Sequence, residues 1–345
     1  MQVQQVETVS LHRDASVQHF LQPFDQWFQD DAVTEICVNT EKKVFVERKA
    51  AWECHPSDAI NKQLITSLAT AVATYSSQQV DTKKPLLSAA LPNGTRIQIV
   101  LPPAVENFPS LTMRKPAKVI RTVDDFEAEG LFAEVKLSQN VVGPEDKDLL
   151  KLLGNKQYKD FFKQAVLAKK NIVVSGATGS GKTTFMKGLV REIPRNERLI
   201  TIEDVRELHL PHENAVHLLY SKGGQGAGDV IAKDLLECCL RMKPDRILLA
   251  ELRGNECLYY VRNAASGHPG SITSCHAGTP ALAFEQLAIM IQDSEGGANL
   301  TFDVIKRLLT LTIDIVVQFK NEHGKRFISE IYFDPARKLK ELYHD

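Results

Sequence analysis

No stretch of the chain approaches 18 consecutive apolar residues, so no segment is long and apolar enough to span a bilayer as a helix. Paired cysteines are missing too. Cys37, Cys54, Cys238, Cys239, Cys257 and Cys275 include no C-x-x-C pair, which removes the spacing of zinc knuckles and thioredoxin-like redox sites. Nor is there an excess of one charge: 42 Lys and Arg stand against 43 Asp and Glu, a net charge of -1. Such a balance exerts no global pull on DNA, RNA or acidic lipid, and no direct sequence-specific nucleic-acid binding is expected. The polar, early-acidic start from Met1 to Asp14 is wrong for a secretory signal. Thiols without such a signal fit a reducing cytoplasm, where the ordinary fate of a free cysteine is burial.

What is present is globular. A hydrophobic share of 43% and a charged share of 25% are ordinary for folded domains, and 345 residues suggest two of them. In the first part, Ile36-Cys37-Val38 and Val44-Phe45-Val46 read as strands around a polar turn at Asn39 to Lys43. Ile60, Leu64, Ile65, Leu68, Val72 and Tyr75 recur at helical spacing and predict an amphipathic helix. Leu91-Pro92-Asn93-Gly94 makes a turn, Thr95 to Val100 a strand, and Leu111 to Arg114 a further strand that ends at Pro116. Alternation along these strands directs Arg96, Thr112 and Arg114 outward on the polar face.

From Ala117 to Pro144 charges and glycines break the pattern, which predicts an interdomain connector containing some helix. Leu149 to Val166 is helical again. From Asn171 onward, short apolar strands alternate with amphipathic helices, the pattern of a parallel sheet covered on both faces. The expected class is therefore α/β: a mixed α+β domain over 1–116, a linker over 117–144 and a nucleotide-binding domain over 145–345. Gly223, Gly224, Gly226 and Gly228 are expected in a flexible surface loop.

The sharpest signal is Gly176-Ala177-Thr178-Gly179-Ser180-Gly181-Lys182-Thr183, with Thr184 following, which satisfies G-x-x-x-x-G-K-[ST]. Glycines let the backbone curl around a phosphate, and the exposed N–H groups and the next helix's N-terminus favour the anion. Lys182 supplies a charge to the outer phosphates, and the Thr183 hydroxyl a ligand to Mg²⁺. Ile172-Val173-Val174 before the motif reads as its strand; Met186, Leu189, Val190 and Ile193 after it read as its helix. A nucleoside triphosphate is the expected ligand.

Three more short apolar runs end in ionisable groups, where an open parallel sheet carries its ligand site. Leu199-Ile200-Thr201-Ile202 ends in Glu203-Asp204, Ile247-Leu248-Leu249-Ala250 in Glu251, and Ser271-Ile272-Thr273-Ser274-Cys275 in His276. Hydrolysis needs a polarised in-line water and positive charge around the transferring phosphoryl group. Glu251 is the candidate water-orienting base, and Glu203 a candidate for holding the metal's water shell or the attacking water. Magnesium then rests on Thr183, the phosphates and water, with Glu203 and Glu251 acting through water. His276 is a candidate γ-phosphate sensor or relay.

In order, Gly176 to Thr183, Leu199 to Asp204, Arg241 to Gly254 and Gly267 to Ala277 resemble the phosphate loop, Asp box, Walker B and His box of the secretion-superfamily ATPases. The chain most resembles the traffic ATPases of bacterial type IV secretion and conjugation systems, from about residue 20 to 335, since Arg96 and Thr112 to Pro116 also look like that family's first domain. This resemblance implies RecA-like second domains in a hexameric ring that uses ATP and Mg²⁺, and Arg96 and Arg114 reaching the phosphates. It further implies a cytoplasmic protein docked peripherally on the inner membrane, partnered by other type IV secretion ATPases and inner-membrane channel components. Its work would be substrate translocation or pilus assembly.

Three neighbouring classes share parts of this pattern. An assembly ATPase of type II secretion or type IV pili often carries a four-cysteine zinc module, for which this chain has no C-x-x-C pair; retraction motors share the core. A RecA-like helicase calls for a basic stripe that is not found here. A nucleotide-gated scaffold would bind ATP without turnover.

Overall fold

Alternating apolar residues in the first third of the chain build a six-stranded antiparallel sheet. In the computed structural model, residues 14–117, 120–136, 140–221 and 228–343 are described, and the chain divides into two units, Met1–Pro116 and Ala117–Asp345. The first unit contains β1 (Val33–Val38), β2 (Lys43–Arg48), β3 (Ala51–Pro56), β4 (Leu86–Ala90), β5 (Arg96–Val100) and β6 (Ser110–Arg114). Their order is β3-β2-β1-β6-β5-β4. Ile36, Val44, Ile97 and Leu111 point to one face, where the helix Lys62–Tyr75 lays Ile65, Leu68 and Val72 against them. That helix starts where the Asn61 side chain accepts the Leu64 N–H at 2.9 Å, capping an otherwise unpaired donor.

The strands β3 and β4 carried no clear sequence signal because they are the sheet edges, where exposed positions blur the alternation. The outward assignment of Thr112 is corrected: it is buried, as are Glu35 and Gln98 on the same face. Alternation identifies a face and not what covers it. Arg96 and Arg114 are exposed and stand opposite each other in the β5–β6 register. Five of the cysteines are buried, and Cys54 on edge strand β3 is exposed.

The expected single helix over Leu149 to Val166 is two, Pro144–Gly154 and Tyr158–Leu167, broken where Lys156 takes a φ of +58°. Helical spacing persisted across the break because Leu149, Phe161, Phe162 and Ala165 all enter one core. Within the 117–144 segment the helix Val123–Ala128 buries no residue. Residues 222–227, most of the glycine-rich loop, and the polar start over 1–13 lie outside the described residues.

The second unit contains β7 (Ile172–Gly176), β8 (Leu199–Glu203), β9 (Ala215–Leu219), β10 (Arg246–Leu249), β11 (Ile272–Cys275), β12 (Ile315–Glu322) and β13 (Lys325–Phe333). They pair as β10-β8-β9 and β11-β7-β12-β13, parallel throughout except for the β12–β13 hairpin. Between β10 and β11, side chains bridge the two sheets: the Ser271 hydroxyl donates to the Ile247 carbonyl at 2.7 Å and Ser274 to Ala250 at 2.9 Å.

Ile172 and Val174 of β7 join Phe161, Met186 and Val317 in one core, while the intervening Val173 is buried on the opposite face. At the start of β10, buried Arg246 makes a two-pronged ion pair with Glu197, at 2.7 and 2.9 Å, and donates to the Val166 carbonyl at 2.7 Å. The carboxyl ends of β7, β8, β10 and β11 precede Ala177, Asp204, Ala250 and His276. No helix among the described residues is long and apolar enough to cross a membrane.

Candidate active site

The loop leaving β7 turns tightly into the helix Lys182–Val190. A Cβ on Gly176 would meet the Phe319 carbonyl oxygen and the Ser180 hydroxyl, each at 2.8 Å, so no side chain fits there. Gly181, at a φ of +104°, caps the helix in the left-handed region. Lys182 Nζ folds over the loop, donating to the Gly176 carbonyl at 2.7 Å and the Ala177 carbonyl at 3.0 Å. Burial pushes the pKa of this ammonium below its ordinary value, and the nearby Glu251 carboxylate opposes that fall.

Above the loop opens a cavity of about 340 Å³, whose walls include Thr183, Asp204, Glu251, Arg253, His276 and Arg326. Three of these come from the ends of β8, β10 and β11, so the parallel sheet collects residues far apart in sequence. His276 Nε2 lies 2.6 Å from Glu251 Oε1, and Nδ1 lies 3.4 Å from Lys182 Nζ. Arg253 forms an ion pair with the second oxygen of Glu251 and reaches Asp204 Oδ2 at 3.2 Å. Burial pushes the Glu251 carboxyl above its ordinary value, and the charges of His276 and Lys182 act against that rise.

Glu203 is placed differently. Its side chain is buried, and one oxygen accepts the backbone N–H groups of Glu207 and Leu208, both at 2.8 Å. The other oxygen has no hydrogen-bond partner among the described residues. Successive residues at a strand end face opposite ways, so Asp204 and not Glu203 is among the cavity's lining residues. Arg96 and Arg114 belong to the first unit, where Arg114 Nε lies 3.5 Å from Glu35 Oε1. Two arginines directly opposite on adjacent strands repel, an arrangement without benefit to the sheet itself.

Sequence reasoning missed Asp204, Arg253 and Arg326 as cavity residues. The first two adjoin positions it singled out, and strand-end placement could have found them. Arg326, at the start of β13, had no signal at all.

The donor set suits Mg²⁺. The Thr183 hydroxyl and the carboxylates of Asp204 and Glu251 share one cavity, and these are the hard oxygen donors that ion prefers. No group of three or more His, Cys, Asp or Glu among the described residues could hold a metal by itself. A cation held by Thr183 together with phosphate and water matches that set.

Residues 21–320 match the family described as type II/IV secretion system protein. The chain is 45% identical over 339 residues to the type IV secretion system protein VirB11 of Brucella suis biovar 1, covering 96% of this chain and 94% of that protein. It is 43% identical to the VirB11 protein of Bartonella henselae, covering 97% of each. Its fold is similar to the crystal structure of the VirB11 ATPase from the Brucella suis type IV secretion system in complex with sulphate. There the TM-score is 0.89 at 46% identity, over 94% of this chain and 99% of that one.

Proposed function

This chain belongs to the type II/IV secretion system protein family and is an ATPase of type IV secretion; from that premise we propose that it is a Mg²⁺-dependent hexameric motor. In this reading it works at the cytoplasmic face of the inner membrane, with other secretion ATPases and channel components, to drive substrate translocation or pilus assembly, conjugation included. The observation that carries the catalytic part is the contact chain from Lys182 through His276 to Glu251, with Arg253 on the far side of the carboxylate.

The loop from Gly176 to Thr184 receives the phosphates through backbone N–H groups at a helix N-terminus. Lys182 exchanges its loop carbonyls for phosphate oxygens. Thr183 is the residue that would hold Mg²⁺, and the ion would neutralise phosphate charge. Glu251, deprotonated, orients the attacking water, while His276 and Arg253 fix its two oxygens. The link between Lys182 and His276 connects phosphate contact at the lysine to the base, which fits His276 as a γ-phosphate sensor.

Glu203 supports the loop after β8 through its two accepted backbone bonds, and so positions Asp204. Arg96 and Arg114 supply positive charge to the phosphates; their exposure and mutual repulsion support a ligand-binding role over a packing one.

The test is the ATP hydrolysis rate per subunit against protein concentration, with Mg²⁺ and without nucleic acid. A rate that rises and saturates identifies an assembled ring as the active species. A constant rate, with a monomeric mass at every concentration, would remove the hexamer from the proposal.

A further inference from the structure

The strand β12 buries Gln318 between the apolar pair Val316-Val317 and Phe319, at 2% exposure. In the β12–β7 register Gln318 lies opposite Ser175, the residue before Gly176. On the other side of β7, Ser175 lies opposite Cys275, the residue before His276. The phosphate-loop strand therefore stands between Gln318 and the chain that carries the histidine.

The Gln318 side chain spans that gap. Its Nε2 donates to the Ala277 carbonyl at 3.0 Å and to the Phe319 carbonyl at 3.2 Å. Both partners are acceptors, so the nitrogen of the amide must face them and not the oxygen. The Ser175 hydroxyl donates to the same Ala277 carbonyl at 3.4 Å. Phe319 is the register partner of Gly176, and its carbonyl oxygen is one of the atoms that exclude a Cβ there. One amide nitrogen thus holds the backbone pressed against the first glycine of the phosphate loop and the backbone that follows His276.

We propose that Gln318 is a positioning residue for His276, a strut across β7 that keeps the ring between Lys182 and Glu251. The inference rests on the ATPase reading and extends it to a buried residue that does not line the catalytic cavity. The strand β11 ends at Cys275, so its ladder no longer holds His276 or Ala277. Yet the ring must meet Glu251 at 2.6 Å and Lys182 at 3.4 Å together. Two contacts on opposite sides of one ring leave little tolerance in the backbone beneath it, and a donor on the next carbonyl supplies the restraint.

The chemistry of Gln318 itself argues against a purely structural part. Its Oε1 is buried without a hydrogen-bond partner among the described residues. An amide buried among apolar neighbours with one end unmet returns little stability. Such a local conflict between residue and surroundings belongs where function demands it. Reach matters as well: asparagine carries the same amide but is one methylene shorter, too short to cross a strand from the same backbone position.

The test is a double-mutant cycle on ATP hydrolysis in Mg²⁺, followed with radiolabelled ATP so that slow rates are resolved. Gln318→Met keeps the length and volume of the side chain and removes its donor. In the otherwise wild-type protein it should lower kcat about tenfold and leave the KM for ATP within about twofold. In a His276→Ala background the same change should alter kcat by less than about twofold, because the ring it acts through is already gone. Gln318→Asn should behave as Gln318→Met does, and it decides the matter if the methionine variant does not fold.

A loss of kcat equally large with and without His276 would make Gln318 a packing residue and overturn the proposal. So would an unchanged kcat, a loss confined to KM, or failure of both Gln318 variants to fold. Full turnover by His276→Ala would instead remove His276 from the mechanism, and a wild-type protein without hydrolysis would overturn the ATPase reading; either result takes this inference with it.

Discussion

Lys182 and Glu251 are joined through one imidazole ring, and each is displaced from its ordinary ionisation by burial. Removing the ammonium in Lys182→Ala takes the proposed phosphate-binding charge from a buried site. Hydrolysis should fall by about 10²–10³-fold, with the far-ultraviolet circular dichroism spectrum unchanged. Near-normal phosphate release by the folded variant would remove Lys182 from the site. Glu251→Gln keeps shape but cannot take a proton, so ATP should bind and remain intact; rapid turnover would exclude the base role. Because burial raises the Glu251 pKa above its ordinary 4.5, and a base acts deprotonated, the acidic limb of the pH–rate profile should lie above that value. An acidic limb at or below it would contradict the assignment.

At the scale of elements, the phosphate loop and the strand starts carry the constraints. Arg246 is wholly buried, and its two-pronged bond to Glu197 ties the start of β10 to the chain just before β8. Arg246→Ala would leave Glu197 with the longer 3.8 Å ion pair to Lys169 beside a cavity, and a loss of about 3 kcal/mol is expected in a urea titration. A loss below about 1 kcal/mol would show that water reaches Glu197 freely.

On β9, burial lowers the His217 pKa from 6.5 to about 4, and the ring shares a 2.9 Å hydrogen bond with the Thr201 hydroxyl. Below pH 6.5 the unfolded chain takes up a proton that the folded one refuses. This group's contribution to stability is complete above 6.5 and is lost as pH falls toward about 4. The urea midpoint should therefore drop between pH 7 and pH 5, and drop less in His217→Gln. Equal drops in the two proteins would assign the pH dependence elsewhere.

For the whole molecule, the relevant fact is that each unit carries its own apolar core, around Ile36, Leu68 and Ile97 in one and Phe161, Val174 and Val317 in the other. A fragment over 117–345 should then unfold cooperatively and still bind ATP, since the whole phosphate loop lies within it. Its turnover should fall at least tenfold because Arg96 and Arg114 are gone. Arg96→Ala with Arg114→Ala in the full chain should reproduce that loss. Full turnover by the fragment would leave those arginines without a catalytic part.

The residues of the candidate site were legible in large part in the order of residues alone. A phosphate loop is contiguous because successive backbone N–H groups must surround one anion, so Gly176 to Thr184 announced itself. Strand ends pointed to Glu251 and His276, each just after a short apolar run, and both line the cavity. Edge strands β3 and β4 and the break at Lys156 were not legible, because exposure blurs alternation and helical spacing continues across a short kink.

Tertiary structure alone decided which strand-end groups share a cavity. Neighbouring residues at the end of β8 face opposite ways, so Glu203 holds backbone while Asp204 lines the site with Arg253. Only packing brought Phe162, Phe185 and Phe319 into one wall beside the loop. Their sequence separation carries no sign of it, because apolar contact is non-directional and its partners are chosen by the fold.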